Sequence, residues 1–202
     1  MATLSELINA VCDDLNRDDL TAQCSDAVVM AIRHFDSRRW WFSEGSATFT
    51  TTSTTSAYPL ATDFRDMDYM EVSLPGDNWQ EVKEEDFGTI RQMLQGQTVT
   101  GYPDKFAIYD QAIHLAYQPN DAYQVRYYYT KTLADLTANG SNAWTTDCRD
   151  VIQARASKNV ALTKLHDPEL AAVFAPVEDE AYRRLLDEND RRTSSSKITP
   201  KY

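Results

Sequence analysis

The chain has 202 residues, of which 31 are acidic and 20 basic, for a formal net charge of −11. Hydrophobic residues at 42% and charged residues at 25% supply a core and exclude global disorder. The acidic excess excludes a protein that gains its affinity by neutralising phosphates, because that needs a basic face. No apolar run reaches the roughly 18 to 20 residues required to cross a bilayer, and Met1–Leu7 lacks the basic and apolar regions of a secretion signal. Cys12, Cys24 and Cys148 cannot all pair and have no metal-ligand spacing, so reduced thiols in a cytoplasmic setting are expected.

Thr3-Leu4-Ser5-Glu6 has capping-box spacing, and Leu4, Leu7, Ile8, Val11 and Leu15 follow on one helical face. A second periodic stretch from about Thr21 to Phe42 groups Val28, Ile32 and Phe35 and ends in Trp40 and Trp41. From Ser46 to Ser56 the chain is Thr-rich and uncharged around Phe49, which favours strand over helix. Short strands are expected at Asp68–Leu74, Trp79–Val82, Phe106–Tyr109, Ala112–Tyr117 and Tyr123–Thr130. Turns at Pro75–Asn78, Gly101–Asp104 and Pro119–Asp121 separate them. In the last strand Tyr123, Val125, Tyr127 and Tyr129 share one face and Gln124, Arg126 and Tyr128 the other. Aromatics on both faces suggest a sheet covered on both sides.

Helical periodicity resumes after the loop Thr137–Asn142, through Val151, Ile152, Leu162 and Leu165. Asp167-Pro168-Glu169 signals a fresh helix start. That helix runs through Leu170, Phe174, Val177, Ala181 and Leu185, with Pro176 expected to kink or split it. Eight acids and two arginines fill Asp167–Asp190, whereas Arg191–Tyr202 holds Arg191, Arg192, Lys197 and Lys201 and no acid. These elements describe an α+β protein, mainly a helical bundle from N- and C-terminal helices, with a small antiparallel and all-β insertion projecting from one end. Its parts are N-terminal helices at 1–45, the β-rich insertion at 46–132, C-terminal helices at 143–190 and a flexible basic tail at 191–202.

Chemistry is sparse in this pattern. His34, His114 and His166 have no mutual ligand spacing, and neither a phosphate-cradling glycine loop nor a nucleophile elbow is present. No cofactor and no metal are expected. Acid groups at Asp63, Asp66 and Asp68 and at Glu84, Glu85 and Asp86 leave one enzymatic alternative open, a peptidoglycan hydrolase working with paired carboxylates. Adjacent Trp40 and Trp41 cannot both enter one helical core stripe, so they are expected, with Tyr58, at a joint between bundle and sheet.

The ordered set Arg38-Arg39-Trp40-Trp41-Phe42, Phe49, Tyr58-Pro59-Leu60-Ala61-Thr62-Asp63-Phe64, Gly101-Tyr102-Pro103, Ile113-His114-Leu115 and Tyr127-Tyr128-Tyr129 resembles the head-to-tail adaptor, or tail accessory factor, of short-tailed bacteriophages. The resemblance spans the second helix to about Leu165. It implies a non-enzymatic virion component at the head–tail junction, assembled in the host cytoplasm as a ring of twelve copies beneath the portal protein. Such a ring offers a platform to the tail nozzle or tail hub protein, and double-stranded DNA passes through without specific binding. A C-terminal extension grips the portal in this family; Arg191, Arg192, Lys197, Ile198, Pro200 and Tyr202 match that feature in position and character. No membrane partner is implied.

Overall fold

The computed structural model describes residues 2–74, 78–96 and 100–193. Most of the turn expected at Pro75–Asn78, together with Lys197, Ile198, Pro200 and Tyr202, lies outside the described residues. Two compact units emerge, one from the chain's two ends (up to Phe42 and from Ala134 onward) and one from Ser43–Leu133.

In the helical unit α1 (Leu4–Leu15) starts with the expected capping box: Glu6 N donates to Thr3 Oγ1 at 3.2 Å, and Thr3 N donates to Glu6 Oε2 at 2.9 Å. Two more donors of its first turn reach distant carbonyls, Leu4 N to Gly140 O at 3.0 Å and Ser5 N to Ala138 O at 2.9 Å. The 138–140 loop thereby seals the start of α1. Next, α2 (Thr21–Asp36) buries Cys24, Ala27, Val28, Ala31 and Phe35 and stops short of the expected Phe42. The Trp40 indole N–H takes the Phe35 carbonyl at 2.8 Å and Ser37 Oγ takes that of His34 at 3.0 Å, so the chain turns out of the helix. Trp40 is then packed edge-on to Trp144, with ring centroids 6.2 Å apart.

Asn142 caps the short α4 (Ala143–Thr146) through Trp144 N at 2.9 Å. Then α5 (Arg149–Thr163) buries Val151, Ile152, Ala154, Ala156, Ser157, Val160 and Ala161, positions that encircle it rather than mark one face. Its small side chains let α1, α2 and a final helix, α6 (Pro168–Thr193), all pack on it. His166 closes α5 in the left-handed conformation at φ 54°, which histidine tolerates better than most residues, and Asp167 N reaches Ala161 O at 3.0 Å. The Asp167 carboxylate then caps α6 by accepting from Leu170 N at 2.9 Å. Of the two expected effects of Pro176, the split does not occur: α6 is one helix across it. Proline deletes a single N–H donor, and burial of Ala171, Glu178, Leu185 and Asn189 anchors the helix on both sides of it.

Two polar clusters tie the helices together. Buried Glu178 of α6 meets Arg155 of α5 at 2.6 Å and also Lys158. Asp14 of α1 accepts from Gln153 Nε2 and Ser157 Oγ, each at 2.9 Å.

The β unit, Ser43–Leu133, holds two four-stranded sheets and a two-stranded one, and with the helical unit it fits the expected α+β class. Its strands are β1 (Glu44–Thr50), β2 (Ala57–Pro59), β3 (Phe64–Leu74), β4 (Asn78–Glu81), β5 (Lys83–Glu84), β6 (Thr100–Gly101), β7 (Lys105–Tyr109), β8 (Ala112–Leu115), β9 (Gln118–Pro119) and β10 (Gln124–Lys131). One sheet has the order β1-β10-β3-β4 and the other β2-β8-β7-β5. Pairing is antiparallel as expected, with short parallel pairs β5–β7 and β6–β9 in addition. Met70, Val72, Val125, Tyr127 and Tyr129 of the first sheet share a core with Tyr58, Phe106, Ile113 and Leu115 of the second. The faces of β10 divide as its alternation predicts, but the outer face is not covered: Tyr128 is 37% and Tyr69 41% exposed.

The all-β expectation is also corrected, because α3 (Phe87–Gly96) lies within this unit. Phe87, Ile90, Met93 and Leu94 recur at helical spacing, and Ile90 is buried with Ala107 and Ala116. The Thr-rich stretch is strand only as far as Thr50. Beyond it Tyr58 Oη accepts from Thr52 N at 3.0 Å and donates to Thr55 O at 2.8 Å, holding a turn in which Thr54 has φ 79°. That conformation is costly for a β-branched residue, and the tyrosine bonds offset it.

Two outcomes follow from this packing. Glu178→Ala leaves two cations facing each other without their anion and is expected to lower stability by about 2–3 kcal/mol in urea unfolding, less than for a fully buried pair because both cations keep some solvent. Burial, and then a hydrogen bond to Asp63, pushes the Tyr129 hydroxyl up from 10.0 to about 12. A raised folded value means that this stabilisation is complete below about pH 10 and disappears as pH climbs through about 12. Tyrosinate absorbance should show a late-ionising phenol that Tyr129→Phe removes.

Candidate interaction surfaces

The last turns of α6 build one surface of the helical unit. Glu188 sits three and four residues before Arg191 and Arg192 and pairs with both, the second at 2.5 Å. The Arg192 guanidinium stands 4.7 Å over the Trp41 ring, and Asn189 Oδ1 accepts from Trp41 N at 3.0 Å. Cations in a last helical turn also meet the negative end of the helix dipole. Arg191 and Arg192 therefore belong to α6, which runs past position 190 to Thr193. Trp41, Asp150, Val151, Leu185, Glu188 and Arg192 line a groove of about 290 Å³ here. A second groove of about 460 Å³ is bordered by Asp14, Gln153, Val173, Val177 and Glu180.

Trp40 and Trp41 have opposite fates. Trp40 is 1% exposed, among Phe42, Trp144 and Tyr182, whereas Trp41 is half-buried beneath Arg192. Tyr58 is seated in the core of the β unit, stacked on Phe49 at 4.6 Å. Each of the three thus has a well-defined seat within its own unit.

The outer face of the first sheet forms a surface of which sequence patterning showed only the β10 part. Arg126 pairs with Glu71 at 2.5 Å, lies 4.3 Å over the Trp79 ring and 5.6 Å over that of Tyr128, and Tyr128 adjoins Tyr69. Side-chain alternation along β10 placed Arg126 and Tyr128 together. Trp79 joins them only through the β3–β4 register, in which it stands opposite Ser73.

Three of the carboxylates considered for hydrolysis serve separate structural ends. Asp63 accepts from Tyr129 Oη at 2.7 Å, Glu85 pairs with Lys105 at 3.2 Å, and Asp86 caps α3 through Thr89 N at 3.2 Å. None of the acids from Asp63 to Asp68 or from Glu84 to Asp86 lines the two grooves. His34 is exposed on α2, and slight desolvation of its ring, followed by the charge of Arg155, lowers its pKa. His114 packs against Phe87, and His166 ends α5. All three cysteines are buried and unbridged; burial pushes the thiols of Cys24 and Cys148 up, away from the reactive thiolate. Among the described residues no group of three or more His, Cys, Asp or Glu could hold a metal ion.

Because Arg192 is largely solvated, Arg192→Ala is expected to lower stability by no more than about 1 kcal/mol while altering the emission of the tryptophan beneath it. Urea unfolding and tryptophan fluorescence measure the two effects.

The SU10 adaptor protein family model matches residues 2–200, so the match takes in both units. No curated protein matches the chain. The family agrees with the resemblance to phage head-to-tail adaptors carried by the tryptophan, tyrosine and proline motifs. On that match over nearly its whole length, the chain belongs to the SU10 adaptor protein family, the structural adaptors of bacteriophages.

Proposed function

We propose that this adaptor is a structural connector between the portal and the tail, working as a ring of twelve copies beneath the portal protein, with the tail nozzle or hub on its other side. The observation that carries the reading is the family match over residues 2–200. Among the described residues the three cysteines are buried, and Asp63 and Asp86 hold structural hydrogen bonds.

The portal grip falls to the end of α6 and the residues after it. Arg191 and Arg192 form a fixed basic base on the helix, and Lys197, Ile198, Pro200 and Tyr202 supply apolar and cationic contacts beyond. Trp40 and Trp41 stiffen the chain just before it leaves the helical unit at Phe42, and Tyr58 pins the loop after β1; this is the sense in which the three serve as a joint. A net charge of −11 per copy gives a ring that repels the DNA backbone, so DNA slides past without releasing counterions. The same charge keeps free copies apart until the portal gathers them.

Deleting residues 194–202 removes the part beyond α6 and leaves every contact described above in place. The shortened protein is expected to melt like the full chain yet fail to sediment with portal rings. Undiminished binding of the truncated chain, by sedimentation or electron microscopy, would remove the portal grip from this segment.

A further inference from the structure

The first sheet ends in two strands with one neighbour each among the described residues, β1 beside β10 and β4 beside β3. In an antiparallel pair the N–H and C=O of one residue point to the same side, and the side alternates along the strand. Thr51 N donates to Tyr123 O at 2.8 Å, in register with Phe49↔Val125 and Ala47↔Tyr127. The backbone groups of Ser46, Thr48 and Thr50 therefore point away from β10, and all three residues are exposed. Val82 N donates to Met70 O at 2.9 Å, which by the same alternation turns the backbone of Trp79 and Glu81 away from β3.

Proteins blunt such edges with lysine, proline, bulges or very short strands. β1 spans Glu44–Thr50, and its pairing with β10 runs without a register shift. From Gly45 to Thr62 the chain contains no charged side chain, although a quarter of all its residues are charged. In a chain of net charge −11, this edge is where a second acidic copy can approach without like-charge repulsion. A strand that pairs there is held by backbone bonds, which salt and acidity leave intact.

We infer that β1 of one copy pairs with β4 of the next, so that the first sheets of neighbouring copies join edge to edge. The inference rests on the ring reading above. It commits to β4 as occupant because the contact between two different edges is heterologous and repeats until a ring closes, whereas β1 against β1 is two-fold and stops at a dimer. Ser46, Thr48 and Thr50 share the outer face with Trp79, Arg126 and Tyr128, so the joined sheets carry one continuous aromatic and hydroxyl face.

The experiment compares variants of the full chain for closed multimers on portal rings, by electron microscopy over a concentration series. Thr48→Pro removes the outward N–H at the middle of β1 and touches no bond to β10, while Thr48→Ala keeps it. The alanine variant is expected to assemble like the parent, and the proline variant to need at least about tenfold more protein. If Thr48→Pro melts low, Ser46→Glu with Thr50→Glu decides, because it leaves the backbone intact and sets carboxylates against the neighbour's Glu81. That pair should show the same loss, and Glu81→Lys in the same chain should recover assembly. Normal rings from the glutamate pair, no recovery with Glu81→Lys, or discrete dimers cross-linked through β1 would each overturn the edge contact while leaving the connector reading standing. A parent chain that forms no closed multimers on portals overturns both.

Discussion

The helical unit depends on how closely three helices can approach α5. Its members come from the two ends of the chain, with the whole β unit between them, and the entropy of closing that long connection must be met by contacts across the gap. Alanine at 154, 156 and 161 and Ser157 allow α1, α2 and α6 to pack on one short helix without large residues holding them apart. Polar bonds then fix the arrangement: Asp14 binds Gln153 and Ser157, and Glu178 takes Arg155 and Lys158. Where a larger side chain would keep a helix away, a small one brings it within reach of these directional contacts. The Arg155 guanidinium is also 5.4 Å from the Phe35 ring, so a single α5 side chain addresses α6 and α2 at once.

The same logic explains the exit of the chain toward the β unit. Trp40 gives up its expected place in α2 to lie among Phe42, Trp144 and Tyr182, with its N–H satisfied by the Phe35 carbonyl. A large aromatic with one directional bond sets both the depth and the heading of the chain at that point. Trp41 follows on the surface, clasped by Arg192 and Asn189 of α6. The departing segment is thus held by side chains from the opposite end of the sequence.

Much of this was legible where one physical signal dominated. The capping box at Thr3 and the apolar face of α1 follow from local spacing alone, and so does the alternation of β10. The Asp167–Pro168 start of α6 was legible for the same reason. What failed had competing signals. The end of α2 depends on an indole reaching back to a carbonyl, which no periodicity encodes. Pro176 could have split α6, and packing on both sides of it keeps the helix whole. The helix at Phe87–Gly96 was obscured because its apolar positions lie among short strands, although Phe87, Ile90, Met93 and Leu94 hold helical spacing. Of the surfaces, Arg191 and Arg192 were visible as charge segregation. The Trp79–Arg126–Tyr128 face was not, because it is assembled by register across three strands.

Acidity constrains how such a protein can hold its partners. Ion pairs between copies would have to be drawn from a chain with 31 acids and 20 basic residues, and many of those bases are already spent inside the fold: Arg155 and Lys158 on Glu178, Arg126 on Glu71, Arg191 and Arg192 on Glu188. Contacts that do not rely on net charge are what remain, namely backbone hydrogen bonds, aromatic stacking and guanidinium over indole. The uncharged stretch after Glu44 and the aromatic outer face of the first sheet supply these on one unit, and the Trp41–Arg192 clasp supplies them on the other. In the ring proposed above, joints of this kind leave the acidic surface free to repel DNA, because the charge is not consumed in making them. On that proposal, attraction between copies and repulsion of DNA coexist on one small chain.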